Sequence, residues 1–261
     1  MTHTRRGFLK SALAASAMPA LIPASSSGGE KAVQDFNRKT IALFGDSLTA
    51  TNNWQQFMQR ICNFKRVDVL ARDGATWSNY PETVYKPDAG WNDPHNCVVW
   101  NQYNDFIRRI KSGGLEIPDY IFMMAGSNDG FWGKRVGRVD DTVSISDIIK
   151  KEVNTVVEIS ESVAFVVGLL QKDYPAIKII IGTPPVQPRI NNPDYMQSIA
   201  SIIKETAKYC EVPCVDVFTN CGITSLTASG LLWGDGVHLN EDGAKLVGEY
   251  IAREFCNKLA R

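Results

Sequence analysis

The chain has 261 residues, of which 44% are hydrophobic and 21% are charged, and its 28 basic and 28 acidic residues balance to a net charge of zero. This composition is typical of a globular protein with one substantial core. The balanced charge disfavours nucleic acid as a partner, and six cysteines are too few for a scaffold built on disulfides.

The first residues differ in character from the rest of the chain. Arg5 and Arg6 precede Phe8-Leu9-Lys10 and a short Ala-rich apolar run over 11–22. This arrangement resembles a twin-arginine export signal, and the run is too short for a stable membrane span. We therefore predict a signal peptide at 1–24, a linker at 25–38 and a domain at 39–261. The protein would be exported, to the periplasm or the cell exterior, with the twin-arginine translocation machinery as partner. The alternative is an amphipathic helix packed on the domain.

After the predicted linker, short β-branched runs alternate with longer helical patterns. Strands are predicted at 40–44, 67–70, 120–124, 177–181 and 215–218. Helices are predicted at 54–62, 103–111, 145–172, 194–209 and 241–259, where apolar residues recur every three or four positions. Strands that alternate with helices form a mostly parallel sheet covered on both faces, so the predicted fold is a three-layer α/β/α sandwich with five strands.

Polar and glycine-containing segments follow most of the predicted strands. They comprise Gly45-Asp46-Ser47, Asp73-Gly74, Gly126-Ser127-Asn128-Asp129, Thr183-Pro184-Pro185 and, before the last helix, Asp235 to His238. In an open parallel sheet, ligands bind beyond the carboxyl ends of the strands. The sequence therefore predicts a functional site at that rim.

Few histidines in this chain could act as a catalytic base. The chain has three histidines, of which His3 falls in the predicted signal and His95 in a polar loop. His238 lies three residues after Asp235, and the intervening Gly236 can bend the chain so that acid and base share one turn. Serine-dependent ester hydrolysis needs a nucleophile, a base, a group that orients the base and oxyanion donors.

These motifs resemble those of the GDSL, or SGNH, hydrolases. Three segments carry the resemblance: Gly45-Asp46-Ser47-Leu48, Gly126-Ser127-Asn128-Asp129, and Asp235-Gly236-Val237-His238 followed by Asn240 and Gly243. The resemblance implies a flavodoxin-like SGNH fold and a triad of Ser47, Asp235 and His238. It also implies oxyanion donors on the N–H groups of Ser47 and Gly74 and on the side chain of Asn128. Asp46 and Asp129 are expected to hold the surrounding loops.

One motif departs from the family pattern. Where the family usually has Asn-x-Gly, this chain has Arg72-Asp73-Gly74. The backbone donor of Gly74 survives such a change, but the brace that the asparagine supplies does not. The resemblance implies a serine esterase that works through an acyl-enzyme. Two alternatives stay open: an acyltransferase that uses the same triad, and a carbohydrate-binding protein that has kept only the fold.

Tryptophans are frequent near the predicted rim. Trp77, Trp91, Trp132 and Trp233 could stack on sugar rings, as in carbohydrate esterases, or could anchor long loops. The segment 130–147 is polar rather than a typical apolar lid, which favours short-chain acyl esters, acetyl esters of carbohydrates in particular.

No cofactor fingerprint or metal cluster is predicted. Cys210 and Cys214 could suggest a metal site, but no histidine lies near them in sequence. Buried thiols or a disulfide are the favoured interpretation, with the pairing of the six cysteines left open.

Overall fold

The computed structural model describes residues 36–51, 53–88, 90, 93, 96–190 and 192–259. The predicted signal peptide lies outside the described residues, as do most of the predicted linker, Trp91 and His95. Phe36 is completely buried, and its backbone N–H donates to the carbonyl of Cys62 at 3.1 Å. The predicted boundary at residue 39 is therefore too late, because an aromatic side chain from the predicted linker belongs to the core.

Five parallel strands form the centre of the molecule. They are β1 (Thr40–Gly45), β2 (Arg66–Val69), β3 (Tyr120–Met124), β4 (Lys178–Gly182) and β5 (Cys214–Val215), in the spatial order β2-β1-β3-β4-β5. Leu43 pairs with Phe122, which in turn pairs with Ile180. This strand order is the flavodoxin-like one. The chain places β2 on one side of β1 and then crosses over to place β3 on the other side. The predicted sheet is confirmed.

Ten helices are found in the described residues. They are α1 (Ser47–Ala50), α2 (Gln55–Cys62), α3 (Val99–Lys111), α4 (Ser127–Phe131), α5 (Ile145–Ile148), α6 (Ile159–Asp173), α7 (Pro193–Tyr209), α8 (Val217–Asn220), α9 (Ala228–Leu231) and α10 (Glu241–Leu259). A single 3-10 turn spans Val153–Thr155. No helix in this described part of the chain is long and apolar enough to cross a membrane.

The helices cover both faces of the sheet because its strands alternate apolar side chains between the two. Ala42 and Phe44 of β1 pack in one core with α3, α6 and α7, whereas Ile41 and Leu43 pack in a second core with α2 and α10. The packing on each face is stabilised by the burial of apolar surface, which contributes roughly 25 cal/mol for each Å² removed from water. The predicted three-layer α/β/α sandwich is confirmed.

The long helix predicted at 145–172 is wrong as a single element. The chain instead forms α5, the 3-10 turn and α6, because the N–H groups of Ile159 and Ser160 donate to the carbonyls of Arg135 and Val136. A neighbouring segment thus satisfies the first turn of α6 and defines a new helix start. Four of the five residues from Val153 to Val157 are β-branched, which lowers the helix propensity of this stretch.

The fifth strand is shorter than predicted. Only Cys214 and Val215 pair with β4, and Val217 begins a helical turn whose cap is Asp216. The Asp216 carboxylate accepts the N–H of Thr219 at 3.1 Å, and the strand ends at Val215, three residues earlier than predicted.

Candidate active site

Ser47 lies two residues after the end of β1, behind the cap residue Asp46, and begins helix α1. Gly45 has a φ of 155°, and a Cβ added there would lie 2.2 Å from the carbonyl oxygen of Met124. Only glycine fits where the strand turns so closely against its neighbour. The side chain of Gln102 holds both backbone groups of Gly45, accepting its N–H at 2.8 Å and donating to its carbonyl at 2.7 Å. Ser47 is thus held half-buried at the carboxyl end of the sheet.

His238 connects Ser47 to an acid. Its Nε2 lies 2.9 Å from Oγ of Ser47, and its Nδ1 lies 2.7 Å from Oδ2 of Asp235. The other Asp235 oxygen accepts the backbone N–H groups of Val237 and His238 at 2.9 and 3.0 Å. Gly236 has a φ of 66°, which closes this turn. Partial burial acts to raise the pKa of Asp235, but these hydrogen bonds outweigh it and hold the pKa below its usual value.

The segment after His238 fixes this turn against the last helix. Asn240 donates through Nδ2 to the carbonyl of Gly230 at 2.8 Å and accepts the N–H of Gly243 at 3.0 Å. A Cβ on Gly243 would lie 2.0 Å from the carbonyl oxygen of Leu231. Asn240 therefore caps α10, and Gly243 permits a close approach that any side chain would prevent.

The proposed oxyanion donors line the same cavity as Ser47. Gly74 has a φ of 73°, and Asn128 donates one amide hydrogen to the carbonyl of Ala75 at 3.0 Å. The second hydrogen of that amide remains available toward the cavity. Ser47, Gly74 and Asn128 all line this space. The arrangement can present several N–H donors to one oxygen atom, as stabilisation of an oxyanion requires.

The loop that carries Gly74 is braced by residues that the sequence did not suggest. Arg72 donates its backbone N–H to the carbonyl of Gly45 at 3.1 Å, and its guanidinium forms an ion pair with Asp105 at 2.7 Å. The thiol of Cys97 donates to the carbonyl of Asp73 at 2.7 Å. Backbone and side-chain contacts thus replace the brace that an asparagine gives in the usual motif. Helix α3 supplies Gln102 and Asp105, and no sequence signal marked either one.

Asp129 and Asp46 hold the loops from inside the protein. Both oxygens of Asp129 accept backbone N–H groups, from Trp77 at 2.8 Å and Ser78 at 2.9 Å. Asp46 accepts the N–H of Leu48 at 3.1 Å and caps α1. Burial raises the pKa of Asp129, and it raises the pKa of Asp46 to about 7.

Exposed aromatic side chains surround the triad. The cavity has a volume of about 690 Å³, and its wall includes Phe131, Trp132 and Trp233, which are 50%, 55% and 60% exposed. Arg189 also lines the cavity and lies over the ring of Phe131. The loop after β4 reaches the cavity through Gln187, Arg189 and Ile190 rather than through the predicted Thr183-Pro184-Pro185 segment.

Trp77 was one of the candidate stacking platforms, and the structure excludes that role. Its side chain is completely buried and donates through Nε1 to the carbonyl of Ala125 at 3.0 Å. A ring enclosed by core side chains cannot offer a face to a ligand. Trp77 anchors its loop instead, the alternative considered for all four tryptophans.

All six cysteines are free thiols, so the structure holds no disulfide between them. Among the residues that the structure describes, no group of three or more His, Cys, Asp or Glu side chains is arranged to hold a metal ion.

Comparison with known proteins agrees with this geometry. The profile of the GDSL-like lipase/acylhydrolase family matches residues 43–246, most of the chain. No protein with a curated description matches the sequence. A structure of the lipase/acylhydrolase from Enterococcus faecalis has 17% identity and a TM-score of 0.51, and covers 84% of this chain and 96% of its own.

Two further structures share the fold. A protein from Lactobacillus plantarum has 16% identity and a TM-score of 0.59, with 87% of this chain and 97% of its own covered. TesA has 14% identity and a TM-score of 0.53, with coverage of 83% and 98%. At these identities the structures show the common fold, whereas the family profile covers the three motifs that line the cavity. The chain belongs to the GDSL-like lipase/acylhydrolase family and is a carboxylic ester hydrolase.

Proposed function

We propose that this ester hydrolase uses Ser47 as its nucleophile and removes short acyl groups, acetyl above all, from carbohydrates. The observation that carries the proposal is the continuous hydrogen-bonded series Ser47, His238, Asp235 on the wall of an open cavity that also displays two exposed indole rings. The hydrogen-bonded triad supports ester hydrolysis through Ser47. The exposed indole rings support a carbohydrate as the alcohol part of the ester.

The chemistry follows from the order of the hydrogen bonds. His238 Nε2 accepts the proton of Ser47 Oγ as this oxygen attacks the acyl carbon, and Asp235 stabilises the imidazolium that forms. The same proton then passes to the leaving alkoxide. His238 then takes a proton from a water molecule, which attacks the acyl-enzyme. As the ester bond to Ser47 breaks, His238 gives this proton to Ser47 Oγ. In each half-reaction the negative oxygen accepts hydrogen bonds from Ser47 N–H, Gly74 N–H and Asn128 Nδ2, donors typically worth about 3 kcal/mol each.

A carbohydrate alcohol fits the shape and surface of the cavity. Trp132 and Trp233 expose their rings beside the triad, and indole faces pack well on the C–H faces of sugars. Of the segment 130–147, only Phe131 and Trp132 line the cavity. The segment continues instead against α6 and α7, where the carbonyl of Val143 accepts the Tyr209 hydroxyl. Beyond Phe131 and Trp132, this segment gives the cavity no apolar cover, which suits an extended glycan better than a long acyl chain.

A substrate panel tests the proposal. The full chain is assayed on p-nitrophenyl acetate, butyrate and decanoate and on acetylated xylan, with Ser47→Ala as the inactive control. We expect kcat/KM to be greatest on acetate and measurable acetate release from xylan. A preference for decanoate would contradict the short-chain assignment. Acyl transfer to an added sugar in place of release to water would contradict the hydrolase assignment in favour of an acyltransferase.

Variants of the exposed tryptophans test the alcohol. Trp132→Ala and Trp233→Ala should raise KM for acetylated xylan about 3- to 10-fold, the equivalent of roughly 0.6–1.4 kcal/mol of lost stacking, and leave p-nitrophenyl acetate nearly unaffected. Leu226→Ala removes another exposed apolar side chain, one that does not line the cavity, and should change neither substrate. Equal effects on both substrates would show that the tryptophans shape the site rather than bind sugar.

We also propose that the chain is exported, and the support is the sequence of residues 1–24 alone. Replacement of Arg5 and Arg6 by lysine in the full chain should cause accumulation inside a bacterial host that has a twin-arginine system. Unchanged export of this variant would contradict the twin-arginine assignment.

A further inference from the structure

Two thiols meet at the end of the sheet opposite the cavity. Cys62 is the last residue of α2, and Cys256 lies in α10, 194 positions further along the chain. Their sulfur atoms are 3.9 Å apart. Cys62 is completely buried and Cys256 is half-buried. Among the residues that the structure describes, no other two cysteine thiols lie within hydrogen-bonding distance of each other.

The two helices approach closely along their whole contact. At one end, a Cβ on Gly248 would lie 2.3 Å from the carbonyl oxygen of Trp54, so only glycine permits the approach. Cys256 follows Gly248 by eight residues, and Cys62 follows Trp54 by the same number. Because both helices rise by about 1.5 Å per residue, the cysteines meet about 12 Å further along the same contact.

Aromatic packing holds the cysteine end of this contact. The ring of Phe255 lies 5.6 Å from those of Phe36 and Phe64 and 5.4 Å from that of Tyr120, in edge-to-face arrangements. The N–H of Phe36 also donates to the carbonyl of Cys62. The backbone on both sides of the two sulfurs is therefore fixed before any bond forms between them.

We propose that Cys62 and Cys256 form a disulfide that links α10 to α2 when the protein is exposed to a small-molecule disulfide such as oxidised glutathione. The sulfurs need to approach by about 1.9 Å to reach the roughly 2.05 Å of a disulfide bond. We expect rotation of the thiols about their Cα–Cβ bonds to supply this movement.

The reaction proceeds in two exchange steps. The thiolate of Cys256, the more accessible of the two, attacks oxidised glutathione, forms a mixed disulfide and releases one glutathione thiolate. Cys62 then loses its proton and attacks the Cys256 sulfur, which releases the second glutathione thiolate. Two protein thiols are oxidised and one glutathione disulfide is reduced. The hydrogen bond between the thiols, together with burial, raises the pKa of Cys62, whereas that hydrogen bond lowers the pKa of Cys256, consistent with Cys256 as the first to react.

The disulfide can be detected without any variant. The full chain, reduced and then equilibrated with oxidised glutathione, is alkylated, digested without reductant and analysed by mass spectrometry. We expect one linked pair of peptides, containing Cys62 and Cys256, with the mass of two hydrogens lost. The oxidised protein should have a Tm about 5–10 °C above that of the reduced protein, since the bond closes a very long loop in the unfolded chain.

Two matched variants test which thiols are responsible. Cys256→Ala should abolish the difference in Tm between oxidised and reduced protein, and Cys210→Ala, which removes a buried thiol outside the pair, should preserve it. Esterase activity should be the same in both redox states, because the pair lies far from Ser47 along the strands. A folded wild-type chain with no linked peptides, with a different pairing, or with linked peptides but an unchanged Tm would overturn the proposal.

Discussion

At the carboxyl end of the sheet many of the buried side chains are polar, whereas at the amino end they are aromatic and sulfur-containing. Asp46, Asp129 and Gln102 bind backbone groups of the loops around Ser47. At the opposite end, Phe36 and Phe255 lie in an apolar cluster with almost no access to water. The carboxyl end of the sheet holds the loops of the active site in position, and the amino end contributes buried apolar area.

The difference teaches how stability and function are divided in this fold. Buried carboxylates stabilise little unless every oxygen finds a donor, but they fix loop geometry closely. Buried aromatic rings contribute more through the area that they remove from water, and they tolerate small shifts. Changes at the carboxyl end should therefore alter rate more than stability, and changes at the amino end should do the reverse.

Ser47→Ala should give the largest effect on rate. Loss of the nucleophile is expected to lower kcat about 10⁴- to 10⁶-fold, because the triad members act as one unit. The Tm should stay close to that of the wild type, since the half-buried hydroxyl contributes little packing. Thermal unfolding and p-nitrophenyl acetate hydrolysis measure the two quantities. Ser198→Ala, an exposed serine on α7, is the matched control and should change neither. A Ser47→Ala protein that is folded and fully active would refute the assignment.

Phe255→Ala should give the largest effect on stability. Removal of this completely buried ring is expected to lower the free energy of unfolding by about 3–5 kcal/mol, through lost burial and the cavity that remains. The kcat of the folded fraction should be unchanged. Phe131→Ala removes the same side chain from the cavity rim, where it is 50% exposed, and should cost far less stability. Urea denaturation measures the free energy of unfolding of both variants. Equal losses would contradict the proposed difference between the amino and carboxyl ends of the sheet.

Asn128→Ala should lower kcat about 10²- to 10³-fold with little change in KM, because an oxyanion donor acts mainly in the transition state. Asn128→Asp keeps the size of the side chain but loses the amide donor, and it should be impaired to a similar degree. Steady-state kinetics on p-nitrophenyl acetate measure both. Asn128→Asp also loses the hydrogen bond to the carbonyl of Ala75. If it nevertheless retained the wild-type kcat, the assignment of Asn128 as an oxyanion donor would be wrong.

Asp46→Asn should give the smallest effect, on the pH dependence of stability. Burial raises the pKa of Asp46 from 3.8 to about 7, so above pH 4 the folded state keeps a proton that the unfolded state releases. The contribution to stability is complete below pH 4 and is lost as the pH rises toward 7. Wild type should therefore lose on the order of 2–3 kcal/mol more than Asp46→Asn between pH 5 and 8.

Urea denaturation at the two pH values measures this difference. Asp129 is also buried with a raised pKa, but it is present in both proteins and cancels in the comparison. Asp141→Asn, an exposed aspartate, should behave as wild type. An Asp46→Asn protein with the same pH dependence as wild type would show that Asp46 is ionised in the folded state.

The sequence by itself determined the strands, their parallel arrangement and the motifs that meet at the rim. Runs such as Tyr120–Met124 are short, entirely hydrophobic and bounded by turn residues, so local pattern was sufficient. Gly236 was also readable as the bend between Asp235 and His238, whereas the close backbone approaches that require glycine at 45 and 243 are seen only in the structure.

Only the tertiary structure decided what depends on residues distant in sequence. The break between α5 and α6 depends on the carbonyls of Arg135 and Val136, which no periodicity within 145–172 reveals. The burial of Trp77, the brace from α3 and the meeting of Cys62 with Cys256 likewise depend on which surfaces pack together. Hydrophobic pattern specifies that a face is buried, but not against what it is buried. The partner is set by long-range packing, which the local sequence does not encode.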